Sequence, residues 1–258
     1  SGLRGSSDFG QVVSWNGEHE LSFWTNKSVS GDKQYCSRLN GSDGGGITPP
    51  FLTKESTVGF FYTHLCRSMV LNYNKEISYQ GIPGWQFTLP ENIFDSPRKN
   101  PDNQCFCKDP GGDLESQCLD GIYRAFVCYR DAPLVISKPH FLDGDQQLID
   151  GVEGLHPSRD NHDSLYEVEP ISGMFLRASI KFQLVAELQH LAGVSSLGDL
   201  PHVFVPTIWI EQLSYLDQEN VDFIKYELVI PLRIAAWLQW IFISLSVIMQ
   251  FVQLNGII

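Results

Sequence analysis

Between Gly173 and Leu188 the chain reads GMFLRASIKFQLVAEL, and its period is two. Ala178, Ile180, Phe182, Leu184, Ala186 and Leu188 share one parity; Ser179, Lys181, Gln183 and Glu187 take the other. Side chains alternate across an extended chain, so the pattern predicts a half-buried strand with one apolar face. A second apolar run, HVFVPTIWI from His202 to Ile210, has the same character. Pro206 within it lacks the N–H that a central ladder needs, which predicts an edge or a bulge. Shorter β-like runs stand at GQVVSW, HELSFW, GWQFTLP and APLVISKPHF, and the clearest loops are GSDGGGITPP (41–50) and KDPGGDLES (108–116). The fold class expected is mainly β with some α, largely antiparallel, with long loops.

The C-terminal part follows a different rule. Ile234 to Val252, IAAWLQWIFISLSVIMQFV, carries no charge. About 20 mostly apolar residues suffice to span a bilayer, and Trp237 and Trp240 sit near one end, as interfacial aromatics do. A helix is expected to begin near Asp217, in LDQENVDFIKYELVI, with Pro231 interrupting its backbone ladder at the membrane entrance. The division expected is an extracellular or lumenal β-rich region over 1–228 and a transmembrane helix over 231–255. Gln239, Ser246, Gln250 and Gln253 fall on one face of that helix, which predicts a partner helix against them. Arg233 lies on the exterior side and no basic tail follows, a departure from the positive-inside trend. Ser1 is not an initiator Met and no signal peptide is evident, so the chain reads as a piece of a longer protein.

The six cysteines, Cys36, Cys66, Cys105, Cys107, Cys118 and Cys128, test the compartment. Cys105 and Cys107 are one residue apart, too close for the usual zinc-ligand spacing, and no C-x-x-C redox motif occurs. Positions i and i+2 of an extended chain share a face, so each can reach a different partner. An even, clustered set reads as a disulfide framework of unspecified connectivity. Asn26-Lys27-Ser28 and Asn40-Gly41-Ser42 are N-glycosylation sequons in loop-like sequence. Disulfides and glycans both place this region outside the cytosol.

A formal net charge of −12 disfavours nucleic acid as a partner, because phosphate binding needs a basic face. No G-x-S-x-G, P-loop or H-E-x-x-H occurs, so no catalytic residue, metal or cofactor is assigned and the chain does not read as an enzyme. His156, Asp160, His162, Asp163 and Glu167 cluster in GLHPSRDNHDSLYEVEP, where polar loop contacts are expected. Asp143, Asp145 and Asp150 miss the calcium-loop pattern, and His140 between Pro139 and Phe141 reads as a packed, hydrogen-bonded histidine.

Taken in order, NGSDGG, PPF (Pro49 to Phe51), LCRSM (Leu65 to Met69), GIPGWQFTLP, NPDNQCFC, ISKPHFL, IDGVEGLHPSRDNHDSLYEVEPISGM and VPTIWIEQ, closed by an apolar segment, resemble the C-terminal half of a class B scavenger receptor. The resemblance implies two membrane spans, cytosolic termini and an ectodomain that is an irregular antiparallel β-barrel with a lipid tunnel and a helical apex. It implies binding of lipoproteins, fatty acids, oxidised lipids or apoptotic cells, with lipid passed toward the bilayer. Carried over by position, it implies the pairs Cys36–Cys105, Cys66–Cys128 and Cys107–Cys118, and a glycan at Asn40, with Asn26 as a further sequon. It implies a cell-surface location, with a lysosomal or endosomal sorting or adhesion receptor as the alternative; the Cys105–Phe106–Cys107 doublet leans toward the surface branch. Pairing with an N-terminal span, or a homo-oligomer, is the expected membrane contact. Candidate lipid-lining positions are the apolar parity of Ala178 to Leu188 and the run around Trp209; no individual ligand contact is assigned.

Overall fold

The computed structural model describes residues 5–6, 9–24, 35–42, 47–107, 118–129, 132–188 and 201–256. Its strands are β1 (Val58–Tyr62), β2 (Arg67–Tyr79), β3 (Ile82–Thr88), β4 (Ile122–Arg124), β5 (Val135–Ser137), β6 (Leu165–Val168), β7 (Phe175–Leu188) and β8 (Val203–Tyr215). They form one antiparallel sheet in the order β1-β2-β3-β6-β7-β5-β4, with β8 added along β7. The sheet is not closed, so the barrel expected from the resemblance is here an open, barrel-like half.

The period-two stretch is β7, the longest strand, but it is not half-buried. Its apolar parity enters the main core: Ala178, Ile180 and Phe182 pack with Phe60, Leu71, Phe87 and Tyr166. Its polar parity is buried as well, because the segment from Pro139 to Ser164 lies over it. Gln183 accepts a hydrogen bond on Oε1 from the His140 N–H (2.9 Å). Lys181 donates from Nζ to the Asn161 carbonyl (2.7 Å), and its N–H donates to Ser164 Oγ (2.9 Å). Alternation told which residues shared a face; it did not tell that both faces would be covered.

Pro206 accounts for the irregularity of β8. The register slips between Leu184 and Val185, opposite Pro206 and Ile208, and among the described residues β8 pairs only with β7. The proline therefore sits at a bulge on an edge strand, where its missing N–H breaks no central ladder. Of the shorter runs, GWQFTLP lies largely within β3 and APLVISKPHF contains β5. GQVVSW and HELSFW form no strand: the first makes isolated bridges at Gln11 and Trp15, and the second turns through Ser22–Trp24 to bury Leu21 and Trp24. β2 and β3 meet in a two-residue turn at Gln80 and Gly81, both at positive φ (48° and 86°), the geometry that matches strand twist in a tight hairpin.

Two short helices, α1 (Gln146–Asp150) and α2 (Arg159–His162), belong to the segment covering β7. The C-terminal helices are α3 (Gln218–Ile224) and α4 (Ile230–Asn255). Asp217 caps α3 by accepting the Asn220 N–H (2.9 Å), and burial of Val221 and Ile224 docks it on Ile82 and Leu176. Pro231 does not break the helix. A π turn over Lys225–Val229 widens the ladder just before the proline, and the helix runs from Gln218 to Gln253 without interruption. Among the described residues it is the one helix long and apolar enough to cross a membrane, by length and composition. Its 18-residue apolar window is only 6% buried. Ser246 donates to the Phe242 carbonyl (2.8 Å), so the polar stripe retains only its glutamines as groups lacking a bond within the helix.

Candidate functional site

Cross-strand partners project from the same face of a sheet, so the β7–β8 register sorts the candidate lining residues. Leu184 stands opposite Ile208, Phe182 opposite Ile210 and Ile180 opposite Gln212. The core face of β7 therefore continues onto β8 as Ile208 and Ile210. There it emerges: Ile208 is 55% exposed and Ile210 45% exposed. Tyr62 borders this shelf, its ring 5.3 Å from Phe182 and its hydroxyl donating to Gln212 Oε1 (3.3 Å). Burial pushes the Tyr62 phenol above its ordinary value, so it is neutral at physiological pH. The result is an apolar ledge at an open sheet edge with one neutral hydroxyl and one amide beside it. Each methylene laid on such a surface gains about 0.8 kcal/mol when fully buried.

Trp209 does not belong to that ledge. It stands opposite Gln183, on the other face. Its indole meets two stacked imidazoles edge-on: His140 and His162 lie 4.2 Å apart and nearly parallel (6°), and Trp209 is 5.2 Å from His162 and 6.0 Å from His140. Of the run around Trp209, the register puts Ile208 and Ile210 on the face of the apolar parity of β7 and Trp209 itself on the opposite face. Ala178, Ile180 and Phe182 fill the core, whereas Leu188 at the strand end is exposed.

The histidine pair is held by backbone. His140 Nδ1 accepts from the His156 N–H and His162 Nδ1 from the Ser158 N–H, both at 3.0 Å. An Nδ1 that accepts leaves the ring N–H on Nε2. Burial, the neighbouring His140 and Lys181 together lower the His162 pKa. His140 is left-handed (φ 55°), as are Phe141 and Asp143. That backbone is costly for residues other than glycine and persists because it is over-determined. Lys138, 1% exposed, reaches Asp143 (2.7 Å) and Asp163 (3.5 Å) and fixes the loop from inside. Burial raises the Asp163 carboxyl, against the pull of Lys138. Of the clustered polar residues, His156 and Asp160 face solvent, and Glu167 pairs with Arg177 (2.6 Å) on a different strand. No group of three or more His, Cys, Asp or Glu among the described residues is arranged to hold a metal.

The cysteines and sequons lie elsewhere. Cys36 is bonded to Cys105, with Cα atoms 6.1 Å apart, and Cys107 to Cys118, at 6.0 Å. Arg67 pins the doublet: its guanidinium stacks 3.9 Å over Phe106, and Nη2 donates to Asn103 Oδ1 (3.0 Å). The pair Cys66–Cys128 implied by the resemblance is not bonded. Both are free thiols, and each perturbs the other: Cys128 lowers the Cys66 pKa, while Cys66 and burial raise that of Cys128. Their sulfurs are also drawn to carbonyls, Cys66 to Thr63 (3.5 Å) and Cys128 to Leu65 (3.7 Å). Asn40 is exposed, on a corner where Gly41 (φ 89°) touches Gly59 so closely that a Cβ would stand 2.2 Å from its backbone. Asn26 lies outside the described residues.

Sequence reasoning named the run around Trp209, which holds the ledge residues, but did not anticipate the stacked histidines. The alternation of Met69, Leu71 and Tyr73 carries the signal for β2, and Pro206 the signal that β8 lies at an edge.

The model of the CD36 family matches residues 1–255. The chain belongs to the CD36 family. Relatives in that family include pig scavenger receptor class B member 1, 28% identical over 98% of this chain and 46% of the relative. Human lysosome membrane protein 2 is 28% identical over 84% of this chain and 42% of its own length. Sensory neuron membrane protein 2 of Drosophila melanogaster is 28% identical over 89% and 42% respectively. The chain thus spans less than half the length of these CD36-family relatives.

Proposed function

We propose that the chain forms the C-terminal part of the ectodomain, residues 1–228, and the membrane anchor, residues 231–255, of a cell-surface scavenger receptor. In this reading the receptor binds lipoproteins, fatty acids or other lipid ligands and passes lipid along an apolar path toward the bilayer. The observation that carries the reading is the Tyr62–Ile208–Ile210 ledge, an apolar face continuous with the core of a family member whose last helix is long enough to enter a membrane. Acyl chains gain free energy on such a surface without any charged partner. Uptake of fluorescent fatty acid or lipoprotein lipid by cells expressing the full-length receptor tests it. Ile208→Glu and Ile210→Glu should lower uptake several-fold at unchanged surface expression. Uptake no higher than in mock-transfected cells, for every lipid tried, would refute it.

A second reading, a lysosomal or endosomal sorting or adhesion receptor with a protein partner, is supported by the equal identity to lysosome membrane protein 2. The location of the tagged full-length protein separates the two. In either reading the oxidising lumen of the secretory pathway takes two electrons and two protons from the Cys66 and Cys128 thiols and joins them, and non-reducing peptide mapping should recover that pair. The glutamine stripe of α4 is proposed to face an N-terminal span or a second copy of itself, at a modest gain of about 0.6 kcal/mol per hydrogen bond.

A further inference from the structure

Arg233 is the last charged residue before the charge-free run from Ile234 to Val252. An arginine at the end of a membrane helix extends its guanidinium to the headgroup layer, because burying that charge in hydrocarbon is costly. Here the guanidinium is already placed: Nη2 donates to the carbonyl of Gly81 (3.4 Å), at the tip of the β2–β3 hairpin. The hairpin tip is therefore held beside the last charge that precedes the apolar helix. A second cation flanks it. The Lys225 stem lies 3.9 Å from where a Gly81 side chain would begin.

The attachment is fixed rather than swinging. Ile82, which closes the turn, is fully buried with Val221, Ile224 and Val229 of the helix and Leu176 of β7. The helix continues from that contact into its apolar window without a break. On its uncovered side it presents Tyr226 (67% exposed) and Ile230, above Arg233. An exposed aromatic above the last cation matches the composition of a membrane interface. Between Lys225 and Arg233 the one carboxylate is Glu227, so this short collar is net positive on a chain whose formal charge is −12.

We infer that the tip of the β2–β3 hairpin, Tyr79 to Ile82, is a membrane-contact element that rests in the headgroup layer, where Lys225 and Arg233 beside it bind phospholipid phosphate. The inference rests on the reading of the C-terminal helix as a membrane span, and the test separates the two.

The full chain is reconstituted into vesicles of phosphatidylcholine with a minority of phosphatidylserine. A fluorescent amino acid replaces Gln80, Leu188 or Ile243, and quenching is measured with lipids bearing a nitroxide on the headgroup or deep in the acyl chain. Leu188 is the reference because it lies at the far end of β7 from Leu176, about 40 Å away at 3.3 Å per residue. Position 80 should be quenched by headgroup nitroxide at least threefold more than position 188, and position 243 by acyl-chain nitroxide. If position 80 is no more quenched than position 188 while position 243 is quenched, the hairpin contact is overturned and the span stands. If position 243 is not quenched, the span reading fails and takes the contact with it. A label at the exposed Pro83 serves as the second site should position 80 perturb the turn. The Lys225→Gln/Arg233→Gln variant should lose at least half of the headgroup quenching at position 80; unchanged quenching would overturn the role of phosphate.

Discussion

β7 and β8 run side by side from Arg177 opposite Tyr215 to Leu188 opposite Val203, and the strand with more polar residues is the better buried. β7 carries Arg177, Ser179, Lys181, Gln183 and Glu187 and is covered on both faces. β8 carries Ile208, Trp209, Ile210, Leu213 and Tyr215, all of them substantially exposed. Composition does not explain this; coverage does. Each polar side chain of β7 has a partner: Lys181 and Gln183 in the segment folded over it, Arg177 at Glu167, Ser179 at Glu211, and Glu187 at Arg124 and His202, so burial cost little. β8 has the core to one side and nothing among the described residues on its outer edge. A long apolar edge strand with unpaired backbone groups is a surface that natural proteins cover.

Substitutions separate the two strands. Phe182→Ala, which empties a packed position of β7, should cost about 3–5 kcal/mol in denaturant unfolding of the detergent-solubilised chain. A cost below about 1 kcal/mol would mean that the core around Phe182 is not packed as described. Gln183→Ala comes next. It leaves the His140 N–H without its acceptor inside the protein, a loss of about 1–3 kcal/mol. The variant should also release the loop over β7, seen as faster hydrogen exchange between Pro139 and Ser164.

Acid should weaken the polar face of β7 and leave the apolar face alone. The His162 pKa is lowered in the fold by burial, then by His140 and Lys181. The unfolded chain therefore binds a proton at higher pH than the folded one. Stability from this group is complete above the ordinary histidine pKa of about 6.5 and falls as pH drops below it. The unfolding midpoint should decline between pH 7 and pH 5, and His162→Gln should flatten that decline. A midpoint that does not move across this window would mean that the His162 ring is not buried as described. The smallest effect is expected on β8. Ile210→Ala should cost less than about 1 kcal/mol in this chain, because the side chain is already half in water. The same substitution should cost about 2–5 kcal/mol in a full-length receptor whose remaining ectodomain buries Ile210. Equal costs in the two contexts would mean that lipid, not protein, covers the ledge.

Much of this was legible in the sequence, for identifiable reasons. The parity of β7, the edge character of β8 around Pro206, the helix start at Asp217 and the charge-free helix are local patterns, and local patterns survive tertiary context. β1, β2, β4 and β6 are less legible. β2 alternates from Met69 to Tyr73 but then becomes polar and exposed through Lys75 and Glu76, so its second half carries no hydrophobic period. Pro231 was misleading because a π turn absorbed the missing N–H. The histidine stack and the division of the Trp209 run between two faces were invisible for a different reason. They depend on the register between β7 and β8 and on three left-handed residues around His140, and no spacing in the chain encodes which residues will be opposite one another.

The corner at Gly41 has a consequence for the order of events in biosynthesis. A sequon is read as three residues, and Ser42 must offer its hydroxyl for Asn40 to be modified. In the folded chain Ser42 is 1% exposed, its N–H donates to Gly59 and its carbonyl accepts from Phe61. An enzyme arriving after β1 has docked finds the asparagine but not the serine. A sugar chain on Asn40 would therefore be a timestamp, attached while the nascent chain was still loose and sealed in place when the strand closed over its recognition signal.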